Sequence, residues 1–165
     1  MSDETVPARV PGWLSAIDIG NLEEGVYPHP LNISAVRRMR SLGNLTGLTR
    51  LGIHLVRLTP GHDSSEYHRH HNSDEFIYVL EGRGKARVGN DTITVSPGDF
   101  LGFPAGGAAH SLFNPYEVDL LYLMGGNRPT DDICDYPEAG KRLRIDGDQR
   151  QYQALPADAD EAGDD

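Results

Sequence analysis

Three imidazoles and two carboxylates fall within nine positions of the stretch "YHRHHNSDEFIYVLEG", Tyr67 to Gly82. Residues two apart in a strand share a face, so His68 and His70 point one way and Arg69 and His71 the other. Read as a strand, the segment holds the His68 and His70 side chains about 7 Å apart along the chain, close enough for both to turn a nitrogen toward one metal ion. Glu75 opens the next apolar run and alternates with Ile77 and Val79. It therefore lies at the end of a core-facing row, where a carboxylate needs a cation. His110 follows 35 residues later at a glycine-rich junction. The resulting set, His68, His70, Glu75 and His110, joins three imidazoles to one carboxylate and suits one divalent transition metal per chain: Zn, Fe, Mn, Ni or Cu. Asp74 is the rival acid. His71 is expected at the surface, as are His62 and His29; His54 is expected to be packed or at an interface.

These residues must be positioned by strands. Gly and Pro together make 30 of 165 residues, which favours tight turns and an all-β fold over a helical bundle. Strand candidates are "IHLVRL" (53–58), "EFIYVLEG" (75–82), "GKARV" (84–88), "DTITV" (91–95), "FLGFP" (100–104), "AAHSLF" (108–113) and "VDLLYLM" (118–124). Gly89-Asn90 suits a two-residue hairpin and "SPGD" a type II turn. Short strands at this spacing read as a sandwich or barrel. "NISAVRRMRSL" is open between helix and strand. Residues 1–30, with four prolines, read as an extended arm in which Trp13 and Ile17 are the anchors. Residues 126–155 read as irregular structure with one short helix, and 156–165 as a disordered acidic tail.

The chain resembles the cupin superfamily. Its first motif runs Gly61, His68-Arg69-His70, Glu75, Gly82, and its second Gly98, Pro104, Gly106-Gly107, His110, Asn114. The Gly61-to-His68 gap and the Pro104-to-His110 stretch are each one residue longer than the family form, and either Gly106 or Gly107 can serve as the motif glycine. Glu75, not Asp74, keeps the family spacing to Gly82. The resemblance covers residues 48–125 and places the cupin domain over 31–155. It implies a double-stranded β-helix, a jelly-roll-like barrel with the metal near its centre. It also implies a small-molecule enzyme, of Lewis-acid isomerase, cyclase or dioxygenase type, with a non-catalytic ligand-binding or sensor protein as the alternative. Small cupins commonly pair, so a homodimer is expected.

The net charge is −10, of which the last ten residues carry five acids and no base. That balance excludes a nucleic-acid or anionic-membrane surface and gives no reason to expect a polyanionic substrate. No apolar run approaches the roughly 18 residues of a membrane span, and no signal peptide is visible; a cytoplasmic protein is the expectation. Cys134, the single cysteine, allows no internal disulfide and reads as a packed or half-exposed thiol without a histidine partner. Arg57, Tyr78, Arg87, Phe103 and Tyr122 are the side chains that could reach a cavity. The expected walls come from "FIYVL" and "VDLLYLM".

Overall fold

A computed structural model describes residues 10–157 and Ala159. Thirteen strands and two short helices follow in chain order among these residues. They are α1 (Ala16–Asn21), β1 (Gly25–His29), β2 (Asn32–Arg40), α2 (Leu42–Leu45), β3 (Leu51–Leu58), β4 (Arg69–His70) and β5 (Glu75–Glu81). Then come β6 (Gly84–Val88), β7 (Asp91–Val95), β8 (Phe100–Phe103), β9 (His110–Phe113), β10 (Leu120–Asn127), β11 (Asp131–Tyr136), β12 (Lys141–Asp146) and β13 (Gln149–Ala154).

The strands form three antiparallel sheets, ordered β1-β2-β3-β10-β5-β8, β7-β6-β9 and β13-β12-β11-β4. The first two share one core. Val56, Leu58, Ile77, Val79, Phe103, Leu120 and Tyr122 from the large sheet meet Ala86, Val95 and Leu112 from the small one. Alternation decides which side chains enter: in β5, Ile77 and Val79 are buried while Tyr78 and Leu80 are exposed. Each fully buried aliphatic side chain contributes about 1.5–3 kcal/mol. The all-β fold expected from the turn spacing, and the barrel implied by the resemblance, are what form.

The turns behave as their residues require. Gly89 takes φ 55° between β6 and β7, and Gly98 takes φ 95° where Asp99 N–H donates to Ser96 O at 3.0 Å.

Two segments differ from the sequence expectation. Residues 16–29 are not an extended arm. Ser15 caps α1 with a reciprocal Ser15–Asp18 box, both bonds 3.0 Å, and β1 pairs with β2 at the edge of the large sheet. Pro28 is tolerated because an edge strand has one unpaired side. Trp13 and Ile17, the expected anchors, are both exposed. Residues 126–155 are not irregular: they form the end of β10 and the β11–β13 meander. The turn from β12 to β13 contains Gly147 at φ 55° after Asp146, an Asp-Gly hairpin signal. The expected acidic tail lies mostly outside the described residues. Among the described residues, no helix is long and apolar enough to cross a membrane.

Candidate metal centre

His68 and His110 face each other across an isolated antiparallel bridge. His68 N–H donates to His110 O at 3.1 Å and His110 N–H returns the bond at 2.7 Å. Their rings lie 4.6 Å apart, and the His68 and His70 rings 5.2 Å apart. His110 stacks on Phe103 at 3.6 Å with planes 1° apart. Glu75 reaches the group from the start of β5, opposite Gly126 of β10 and Phe103 of β8. A Cβ on Gly126 would come 2.5 Å from Asp74 O and 3.3 Å from Glu75 Cγ, so only glycine leaves room there. Gly106 at φ 72° donates its N–H to His70 O at 2.8 Å, which ties the loop before β9 to the histidine strand. Gly106 thus supplies the left-handed turn, and Gly107 is held small by the Pro104 carbonyl.

The four side chains converge on one oxygen. Glu75 Oε2 lies 3.2 Å from His110 Nε2, 3.5 Å from His68 Nε2 and 3.8 Å from His70 Nε2. The opposite ring nitrogens explain the orientation. His68 Nδ1 is 2.9 Å from Glu66 O, which can only accept, so Nδ1 is the donating nitrogen there and Nε2 is the one turned toward Glu75. His70 Nδ1 is 2.5 Å from the Asp132 carboxylate, with the same consequence. His110 Nδ1 is buried without a hydrogen-bond partner among the described residues.

Electrostatics agree with a site built for a cation. Burial pushes the Glu75 carboxyl up, but hydrogen bonds from His110 and His68 outweigh it and hold the group well below the usual carboxylate range. Burial pulls His70 down, but Asp132, Cys134 and Glu75 together raise it to about 11. Burial lowers His110 despite Glu75. His68, Glu75 and His110 bring ligand atoms within 4.8 Å of one another and can hold a metal ion; so do His68, His70 and Cys134.

The family model for the cupin domain matches residues 54–125. A solved structure of a candidate sugar phosphate isomerase from Acidithiobacillus ferrooxidans is 39% identical; the match covers 88% of this chain and 93% of that one, with a TM-score of 0.86. The chain belongs to the cupin superfamily. A second structure, a sugar phosphate isomerase of the cupin superfamily from Silicibacter pomeroyi, is 31% identical over 86% of this chain and 93% of that one, TM-score 0.73. A polyketide cyclase from Streptomyces resistomycificus shares the fold at 19% identity, 70% and 80% coverage and TM-score 0.58. No curated protein matches the chain.

Around its candidate metal centre this cupin has a cavity of about 190 Å³. Phe76, Ile77, Phe103 and Met124 wall it, as expected for "FIYVL" and the last motif strand. The β11–β13 meander and the β1–β2 hairpin add to the lining: Tyr136, Leu143, Ile145 and Arg150 from one, His29 and Arg37 from the other. His29 is not a surface residue. It packs edge-on against Tyr136 at 5.3 Å, and its Nδ1 accepts the Leu31 N–H at 3.2 Å. Burial, then the charge of Arg37, lowers its pKa to about 4, so it is a neutral imidazole with the proton on Nε2. Burial also raises the Tyr136 phenol, assisted by Cys134.

The remaining sequence candidates separate cleanly. Asp74 is exposed and accepts the Ala105 N–H at 2.8 Å. His71 and Arg69 leave by the other face, where both meet buried Asp135, His71 at 2.8 Å. His62 is half-buried at a turn, 3.0 Å from Thr59 Oγ1. His54 is half-buried against Ser41 Oγ. Arg57 pairs with Glu24 and Asp119, Arg87 with Glu138; Tyr78 is exposed and Tyr122 is core. Of the five cavity candidates only Phe103 lines it. Cys134 is packed as expected, yet it does have histidine neighbours, because β11 pairs with β4 and sets Cys134 opposite His70.

Proposed function

We propose that this cupin is a metal-dependent isomerase of small sugar phosphates. The observation that carries the reading is the convergence of three imidazole Nε2 atoms on one Glu75 oxygen inside a walled cavity. The relatives at 39% and 31% identity, described as sugar phosphate isomerases, support the reaction class. The donor set fits a metal: three imidazole Nε2 atoms facing one carboxylate, with an outer hydrogen bond on two of the rings. His68, His70, Glu75 and His110 would hold the ion. When bound, a divalent transition ion supplies Lewis acidity toward a carbonyl or hydroxyl oxygen.

Isomerisation of a hydroxy-carbonyl compound moves hydrogen between adjacent carbons and needs no oxidant or reductant. Phe76, Ile77, Phe103 and Met124 keep water from the reacting carbons. His29 Nε2–H and the Tyr136 hydroxyl, both protonated, are donors that can orient substrate oxygens. Among the described residues Glu75 is the sole carboxylate in the lining and the group able to accept a carbon-bound proton. That shortage of free bases is the observation favouring the second reading, a small-ligand binder or sensor.

NMR of the metal-loaded protein with a panel of small aldose and ketose phosphates decides between them. Interconversion of one pair without O₂ uptake is the expected result. Tight binding with no turnover across the panel would establish the binder, and O₂ consumption an oxygenase. We also infer a homodimer: Val10, Trp13, Ile17, Val26 and Ile33 stand exposed along the N-terminal segment and hairpin, Ile33 at 97%.

A further inference from the structure

Arg37 occupies a position that strand geometry reserves for apolar side chains. On β2 it alternates with Ala35, which is fully buried, and Met39, which packs against the core. Its neighbour Arg38 points outward and is exposed. Arg37 lines the cavity of the candidate metal centre, and its Nε is buried with no hydrogen-bond partner among the described residues. Its one hydrogen-bond contact there is from Nη1 to Met124 Sδ at 3.6 Å, a weak acceptor. No ion pair engages it among the described residues, whereas Arg40, Arg57, Arg69, Arg87 and Arg142 each meet a carboxylate.

A half-buried guanidinium whose Nε is buried and unpartnered, with no anion beside it, is costly to maintain. Glu75, the one acid lining the cavity, is already engaged by three imidazoles. Arg150 adds a second guanidinium at the exposed rim. The cavity is therefore cationic inside a chain of net charge −10, and low-dielectric walls concentrate that field. Its volume of about 190 Å³ lies below the roughly 300–1,000 Å³ of drug-sized ligand sites, so the anion it takes is small.

We infer that Arg37 is the anion-reading residue of this cavity and that it receives the phosphate of the substrate through its planar fork of N–H donors. Arginine suits the task because the fork matches phosphate oxygens two at a time. The identity of the carbon skeleton rests on the isomerase reading; the phosphate site itself does not.

The test uses inorganic phosphate as the probe, with acetate as a second arm, on full-length protein with and without bound metal. Calorimetry on wild type and on Arg37→Met, with circular dichroism and metal content as controls for folding, should show phosphate binding in wild type. Binding should be about 10- to 100-fold weaker in the variant, the loss expected for a charged hydrogen bond. The difference should persist in metal-free protein, which separates Arg37 from direct binding of phosphate to the metal. In wild type, ¹⁵N NMR should show the Arg37 Nε–H resonance moving as phosphate saturates, a readout that needs no variant to fold. Acetate should bind more weakly than phosphate. Wild-type protein that does not bind phosphate, an Arg37→Met variant that binds within about twofold of wild type, an Nε–H resonance that stays still, or acetate binding as tightly as phosphate would each overturn the assignment. Phosphate binding through Arg37 without turnover of any sugar phosphate would leave this inference standing and remove the isomerase.

Discussion

His70 Nδ1 lies 2.5 Å from Asp132 Oδ2, and this contact turns His70 Nε2 toward Glu75. Asp132 is itself fixed by the N–H groups of Asn72 and Ile133 and by Ser73 Oγ. Outer-shell carboxylates of this kind typically tune metal affinity about 10- to 100-fold. Asp132→Ala should therefore weaken metal binding by that factor in a competition titration, and Asp132→Asn by less. Unchanged affinity in the alanine variant would mean that the contact is only structural.

His29 gives a pH prediction. Its folded-state pKa is depressed to about 4 from 6.5, so below pH 6.5 the unfolded chain takes up a proton that the folded chain refuses. The stabilisation is complete above pH 6.5, declines as pH falls toward 4, and declines no further below that. His29→Gln should remove this component, so the gap in melting temperature between wild type and variant should narrow on acidification through that window. A constant gap would show that His29 titrates normally.

Asp135 is fully buried and is shared by Arg142, at 2.5 and 2.9 Å, His71, at 2.8 Å, and Arg69. Removing one member of a buried charge cluster costs about 3–5 kcal/mol. Asp135→Ala should lower stability by that order in urea unfolding, with metal content per folded chain unchanged. A loss under about 1 kcal/mol would contradict the network's role.

Gly82 adopts φ 78°, and a Cβ there would run into the Asp119 carbonyl. The left-handed backbone alone costs a non-glycine residue about 1–2 kcal/mol. Gly82→Ala should lower the unfolding free energy measured in urea by at least that amount while leaving the metal centre intact.

Parity along one strand made His68 and His70 legible in the sequence, and the alternation of Glu75 with Ile77 and Val79 did the same for the carboxylate. The seven motif strands were legible as short runs, rich in β-branched and aromatic residues, bounded by turn residues. Asp132, Cys134 and Tyr136 were not. The segment "DDICDY" buries residues from both faces, so it shows no alternation. The partner of Asp132 lies 62 residues away, set by β11–β4 pairing that no local pattern announces. Arg37 was hidden for a related reason: a charged residue at an inward position left "NISAVRRMR" looking as helical as extended. His29 was obscured by Pro28 and Pro30, which read as breakers although an edge strand accepts one of them. Net charge concealed the sign of the cavity, because a total says nothing about where the charges sit.

The central claim, that His68, His70, Glu75 and His110 hold one transition metal, is tested most directly by elemental analysis of protein purified without an affinity tag. Wild type should carry about one metal ion per chain, and a His68→Ala/His70→Ala variant that keeps its β-sheet circular dichroism should carry essentially none. Stoichiometric metal in the folded double variant would contradict the account.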